Sequence, residues 1–222
     1  MFIIKVIFFD TETSGLDCKD CNIIELAMFT VVDGKIIEKY DEFIDIGKPL
    51  SPDIIKITGI TNSDLKENGI EEKTAACDLK KRLTKDTLMI AHNCQFDLSF
   101  VYQLLKRYFP SQADEIVSNV KWLDTVTVLK DRKEFPHKLK DAVEHYNLEE
   151  VNFHRAIDDT EALYEVTLEM KRERDDLMEY VNIFGYNPKY GPDKFRFPFI
   201  KYKPQPYHNC GKLPQDKILP RM

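Results

Sequence analysis

At 222 residues, 43% of them hydrophobic and 32% charged, the chain can bury a substantial core and reads as one good-sized domain plus an extension. This composition excludes wholesale disorder and a membrane protein, and the formal net charge of −6 excludes a general electrostatic grip on nucleic acid. The N-terminal apolar run is interrupted by Lys5 and ends at Asp10, too short for a signal peptide or a membrane span, so a cytoplasmic protein with no membrane partner is expected.

In chain order, Ile3, Ile4, Val6, Ile7, Phe8 and Phe9 form a β-branched and aromatic run that reads as a buried strand, ending at Asp10-Thr11-Glu12 and the turn Ser14-Gly15-Leu16. The stretches from Ile23 to Val32 and Lys35 to Ile46 are joined by Asp33-Gly34, a strong hairpin signal, so the first three strands are expected to form an antiparallel meander. A loop region follows, carrying Pro49, Pro52 and Ile57-Thr58-Gly59-Ile60-Thr61. Next come a helix around Glu71 to Leu83, a short buried strand from Thr87 to Ala91, and a helix from Phe96 to Tyr108 stopped by Pro110. Val120 to Leu123 gives another strand, short helices cover Thr125 to Lys130 and Lys138 to Tyr146, and a long helix runs from Ala156 to Tyr180. Strands first and then alternating with helices predict an α/β sandwich around a mixed sheet. The cysteines (Cys18, Cys21, Cys77, Cys94 and Cys210) are odd in number and scattered, as in a reducing compartment. Cys18-Lys19-Asp20-Cys21 finds no second pair at zinc spacing and reads as a loop.

Asp10 and Glu12 alternate along an extended chain, so they project to the same side, a few ångströms apart. Like charges so placed repel until a proton or a cation joins them, and at neutral pH a divalent metal is the simpler answer. Other inward acids follow from helical spacing. Asp97 shares a face with Phe100, Val101 and Leu104, an uncommon place for an unpartnered acid. Asp159 lies on the face of Leu163, Val166 and Met170, whereas Asp158 joins Glu161, Glu165 and Glu169 on a charged face. Asp159 is therefore read as the inward member. His154, five residues ahead of it, can accept a proton from a water near neutral pH.

Three segments, Asp10-Thr11-Glu12-Thr13-Ser14-Gly15-Leu16, His92-Asn93-Cys94-Gln95-Phe96-Asp97 and His154-Arg155-Ala156-Ile157-Asp158-Asp159, closely resemble the motifs of the DEDDh (DnaQ-like) 3′ to 5′ exonucleases. That family includes the proofreading epsilon subunit of bacterial DNA polymerase III, RNase T and oligoribonuclease. The resemblance implies a ribonuclease H-like fold with a five-stranded mixed sheet flanked by helices. It implies hydrolysis with two divalent ions, Mg²⁺ or Mn²⁺, held by Asp10, Glu12, Asp97 and Asp159, with His154 as general base and 5′ mononucleotides as product. By the same resemblance Thr13 and Leu16 contact the terminal nucleotide, Asn93 and Phe96 lie beside the cleft, and Gly59 and Ile60 belong to a substrate-side loop. Leu123-Asp124-Thr125 resembles a recurrent element of the family.

Beyond Asn182 the composition shifts, with seven of the eleven prolines in the tail. The chain divides into an exonuclease domain (1–184) and a basic, aromatic and proline-rich extension (185–222), expected to be irregular. The extension holds eight Lys or Arg against two acids, interleaved with Tyr186, Tyr190, Phe195, Phe197, Phe199, Tyr202 and Tyr207. Such rings can stack bases while the cations follow phosphates, or the tail can wrap the acidic domain. The expected substrate is nucleic acid with a free 3′ end, single-stranded or frayed DNA first and RNA second, with proofreading or repair as the role and a DNA polymerase as partner. The competing class is a non-catalytic nucleic-acid-binding or polymerase-docking module.

Overall fold

A computed structural model of the protein describes residues 5–134, 136–149, 154–187 and 191–194. In chain order the elements are β1 (Lys5–Thr13), β2 (Ile23–Val32), β3 (Lys35–Asp45), α1 (Pro52–Thr58), α2 (Asn62–Asn68), β4 (Ile70–Glu71), α3 (Glu72–Arg82), β5 (Thr87–Ala91) and α4 (Cys94–Tyr108). They continue with α5 (Ala113–Asn119), β6 (Lys121–Asp124), α6 (Thr125–Arg132), α7 (Leu139–His145), α8 (Ala156–Glu173), a 3₁₀ turn (Leu177–Tyr180), β7 (Ile183–Asn187) and β8 (Gly191–Lys194). One sheet of six strands has the order β4-β3-β2-β1-β5-β6. Strands β1, β2 and β3 form the expected antiparallel meander, while β5 adds parallel to β1 and β6 parallel to β5. The hairpin turn places Asp33 at φ 50° and Gly34 at φ 75°, the left-handed pair that Asp-Gly accepts at little cost.

The alternation of β1 divides the core. Phe9 and Ile7 pack with Leu79, Val101, Leu104 and Trp122 on the face covered by α3, α4 and α5. Phe8 packs with Phe29, Leu163, Val166 and Met170 on the face covered by α6, α7 and α8. With helices on both sides, β2 is buried from Ile23 to Val31, and its near-continuous apolar run is the sequence trace of that sandwiching. Among the described residues, no helix is long and apolar enough to cross a membrane.

Several expectations need correction. The sheet has six strands rather than five, because Ile70–Glu71 pairs parallel with the end of β3; two residues are too few to leave a periodic signal. The region expected to be a loop folds into α1 and α2. Pro52 occupies the first turn of α1 after the cap Ser51, and Thr61 forms a capping box with Asp64. The proline expected in a loop is a helix starter. Helix α5 was not anticipated.

Helix α8 ends at Glu173, not Tyr180. The apolar spacing continues through Leu177 and Tyr180, but Arg132 intercepts the carbonyls of Met170 and Arg174 at 2.7 and 3.0 Å and closes the helix. At the start of the tail, β7 and β8 pair as a small antiparallel sheet where no regular strand was expected, and the buried Phe184 joins the core. The division expected after residue 184 thus falls within β7. The remainder of the extension, from residue 195, lies outside the described residues.

Candidate active site

β1 runs past its pairing with β5, which stops at Phe8, and a register irregularity follows between Glu12 and Thr13. The strand end is therefore released from the sheet on one side, a common setting for functional groups. Asp10 and Glu12 are half-buried and project to the α8 face, while Phe9, Thr11 and Thr13 are buried. Asp159, in the first turn of α8, meets them there. One carboxylate oxygen from each of Asp10, Glu12 and Asp159 lies within 4.8 Å of the others. Asp159 Oδ2 accepts the His154 N–H at 3.1 Å, whereas its Oδ1 is buried and has no hydrogen-bond partner among the described residues. Asp158 is outside this group.

Asp97 reaches the same strand from the opposite helix layer. Its Oδ1 accepts from the Thr11 main-chain N–H at 3.2 Å and from Thr11 Oγ1 at 2.7 Å, so it binds the strand between the two acids rather than joining the triplet. Its helix start is fixed by Asp124, whose Oδ1 accepts the N–H groups of Asn93 and Cys94 at 3.0 and 3.2 Å. His154 has φ 77°, a left-handed turn that leads the chain into α8, and its imidazole is exposed.

The electrostatics are those of like charges pressed together. Burial, followed by the charges of Asp97, Asp159 and Glu12, holds the Asp10 carboxyl well above the usual range. Burial and the neighbouring Asp159 and Glu25 push Glu12 up to about 8. Burial raises Asp159 to about 6 against the His154 N–H, and raises Asp97 to about 7 against its Thr11 hydrogen bonds. The four acids ionise reluctantly together, because burial and their mutual repulsion both disfavour the charged forms.

Leu16 is 87% exposed in the connection between β1 and β2. With Asp17, Cys18, Phe96, Ser99 and Phe100 it lines an open cavity of about 350 Å³. Gly15 allows the tight approach of this loop, since a Cβ there would lie 2.6 Å from Cys21 Sγ. Thr13 is buried and donates to the Gly15 carbonyl at 2.7 Å. Asn93 is exposed in a left-handed conformation, and Gly59 caps α1 with φ 72°. Ile60 turns its side chain into a small cluster with Ile24, Leu50 and Leu65. The structure also shows Glu25, fully buried on β2 directly opposite Glu12 and paired with Arg155, which sequence reasoning passed over. A single acid in an otherwise apolar strand was the available signal.

With this geometry in place, residues 7–167 match the model of the RNase T exonuclease family, a span that includes all three motifs. The chain belongs to that exonuclease family. It is 30% identical over 191 residues to the PolC-type DNA polymerase III of Latilactobacillus sakei, covering 86% of this chain and 13% of that protein. To the PolC-type DNA polymerase III of Bacillus subtilis it is 32% identical over 171 residues, covering 75% of this chain and 11% of that one. The exonuclease chain thus spans roughly a tenth of the length of these curated relatives. Among solved structures, an Escherichia coli exonuclease I–single-stranded DNA complex superposes with a TM-score of 0.69 at 19% identity, covering 79% of this chain and 42% of that one. Exonuclease I from Methylocaldum szegediense gives 0.66 at 19% identity, over 78% and 41%. These likenesses place the fold of the exonuclease domain among the ribonuclease H-like folds.

Proposed function

We propose that the protein is a divalent-metal-dependent 3′ to 5′ exonuclease that releases 5′ mononucleotides from DNA. The observation that carries this reading is the triplet Asp10, Glu12 and Asp159, whose carboxylate oxygens converge within 4.8 Å of one another. The donor set is all carboxylate, which suits hard cations such as Mg²⁺ or Mn²⁺, and the orphaned Asp159 Oδ1 is the kind of atom an ion would satisfy. Two ions bound here would supply charge neutralisation at the scissile phosphate and acidify the attacking water.

The chain's own residues supply the rest. Asp10, Glu12 and Asp159 would hold the ions, and Asp97 completes the acidic set while fixing the strand through Thr11. The His154 imidazole, exposed at the mouth, takes the proton from water as the new P–O bond forms and the bond to the 3′ oxygen breaks. Leu16 and Phe96 provide apolar surface for the terminal base, with Thr13, Asn93, Gly59 and Ile60 along the strand's path. DNA is favoured by the polymerase relatives and by the exonuclease I complex, which contains single-stranded DNA. The same relatives support work alongside a DNA polymerase in the cytoplasm, in keeping with the free thiols of Cys18, Cys21, Cys77 and Cys94. The basic and aromatic extension guides the strand, and removing residues 195–222 should weaken single-strand binding and lessen its salt dependence.

The test is digestion of 5′-labelled single-stranded DNA, 3′-overhang DNA and RNA with Mg²⁺, Mn²⁺ or chelator. Shortening from the 3′ end with mononucleotide release, fastest on DNA and abolished by chelator, is expected. No release under any metal would overturn the enzymatic reading, and faster digestion of RNA would reassign the substrate.

A further inference from the structure

We propose that Glu25 is a positioning residue of this site: it locks the start of α8 so that Asp159 and His154 face Asp10 and Glu12. The proposal rests on the exonuclease reading above.

Glu25 lies near the start of β2, among Ile23, Ile24, Leu26, Ala27 and Met28, and is fully buried. A carboxylate in such surroundings is costly unless charge and hydrogen bonds are both answered. Here both are. Oε1 accepts from Arg155 Nε at 3.0 Å and from Nη2 at 2.8 Å, and Oε2 accepts the main-chain N–H of Ala156 at 3.0 Å. That N–H belongs to the first residue of α8, where the helix leaves its donors free and favours a negative charge. Arg155 precedes the helix without capping it through its own side chain. A strand residue 131 positions away does so instead. The guanidinium is held on its other side by the Phe43 ring, 5.1 Å from its centroid.

The consequence is geometric. Glu25 stands opposite Glu12 in the β1–β2 register, so the strand pair that carries two of the acids also grips the helix that carries the third. Residues 154–156 are fixed in succession: His154 N–H on Asp159, the Arg155 side chain on Glu25, and Ala156 N–H on Glu25. Without Glu25, the turn through the left-handed His154 would be free to relax, and the carboxylate oxygens within 4.8 Å of one another would lose their spacing.

The experiment compares parent, Glu25→Gln and Arg155→Lys for Mn²⁺ binding by calorimetry, for steady-state hydrolysis of single-stranded DNA, and for thermal unfolding. Arg155 is partly exposed, so its lysine variant keeps the test open if Glu25→Gln does not fold. Because outer supports of a metal site typically matter by about 10- to 100-fold, each variant should bind Mn²⁺ that much more weakly and lose kcat comparably. KM should change less than ~3-fold, since Leu16 and Phe96 are untouched, and saturating Mn²⁺ should restore part of kcat. Parental Mn²⁺ affinity and kcat in folded variants, with only the melting temperature lowered, would overturn the proposal. If the parent itself hydrolyses nothing, the exonuclease reading fails, while the Mn²⁺ titration still decides whether Glu25 organises the acids.

Discussion

The two ends of α8 treat acidic side chains in opposite ways. At the C-terminal end the chain provides its own cation: Arg132 Nη1 donates to Glu173 Oε2 at 3.1 Å and Nη2 to Asp176 Oδ1 at 2.5 Å, while also closing the helix. At the N-terminal end Asp159 faces Asp10 and Glu12, and the cation beside it, Arg155, is committed to Glu25. Acids given a partner hold the fold together. Acids left facing each other cost stability, and in the function proposed above they await a cation from outside, the usual trade between stability and function at a site.

The largest effect should come from breaking the N-terminal end directly. Asp10→Ala is expected to lower mononucleotide release by ~10³-fold or more, because several kcal/mol of transition-state stabilisation depend on the ions it holds. Next, His154→Ala should lower kcat by about 10²- to 10³-fold with Mn²⁺ affinity retained, which separates proton transfer from metal holding in a rate and calorimetry pair. The C-terminal end should respond in the other currency. Arg132→Ala is expected to lower unfolding free energy by about 2 to 3 kcal/mol in denaturant melts, with activity per folded molecule unchanged.

The smallest effect sharpens the comparison most. In chelator at pH 8, Asp10→Asn should raise unfolding free energy by about 1 kcal/mol, since it removes one of the repelling charges. The sign follows from the shifts. Glu12 is raised from the ordinary carboxylate value to about 8 and Asp159 to about 6, so the folded state binds more protons than the unfolded one between those limits. Stability contributed by the protonated cluster is therefore present at low pH and lost as pH rises toward 8, and the advantage of Asp10→Asn should shrink as pH falls.

Much of this was legible in the sequence because it rests on short periods. The β1 run and its alternation put Asp10 and Glu12 on one side, the Asp33-Gly34 turn set the meander, and helical spacing chose Asp159 over Asp158 for the group the structure brings together. Other features depend on contacts that no local period encodes. Arg132 ends α8 from another helix, β4 exists only through its pairing with β3, and Glu25 acts across 131 positions on Ala156. Ile60 was assigned by its place in a motif, yet its side chain is needed by a core cluster. Asp97, read as one more inward acid, spends an oxygen on Thr11 and so also anchors the strand.

Calorimetric titration of Mn²⁺ into the parent protein and Asp10→Asn at pH 6 and pH 8 tests the central claim most directly. The account predicts binding by the parent that tightens from pH 6 to pH 8, as the carboxyls give up their protons, and at least ~10-fold weaker binding by Asp10→Asn at pH 8. No binding by the parent at millimolar Mn²⁺ and pH 8, or equal affinity in Asp10→Asn, would contradict it.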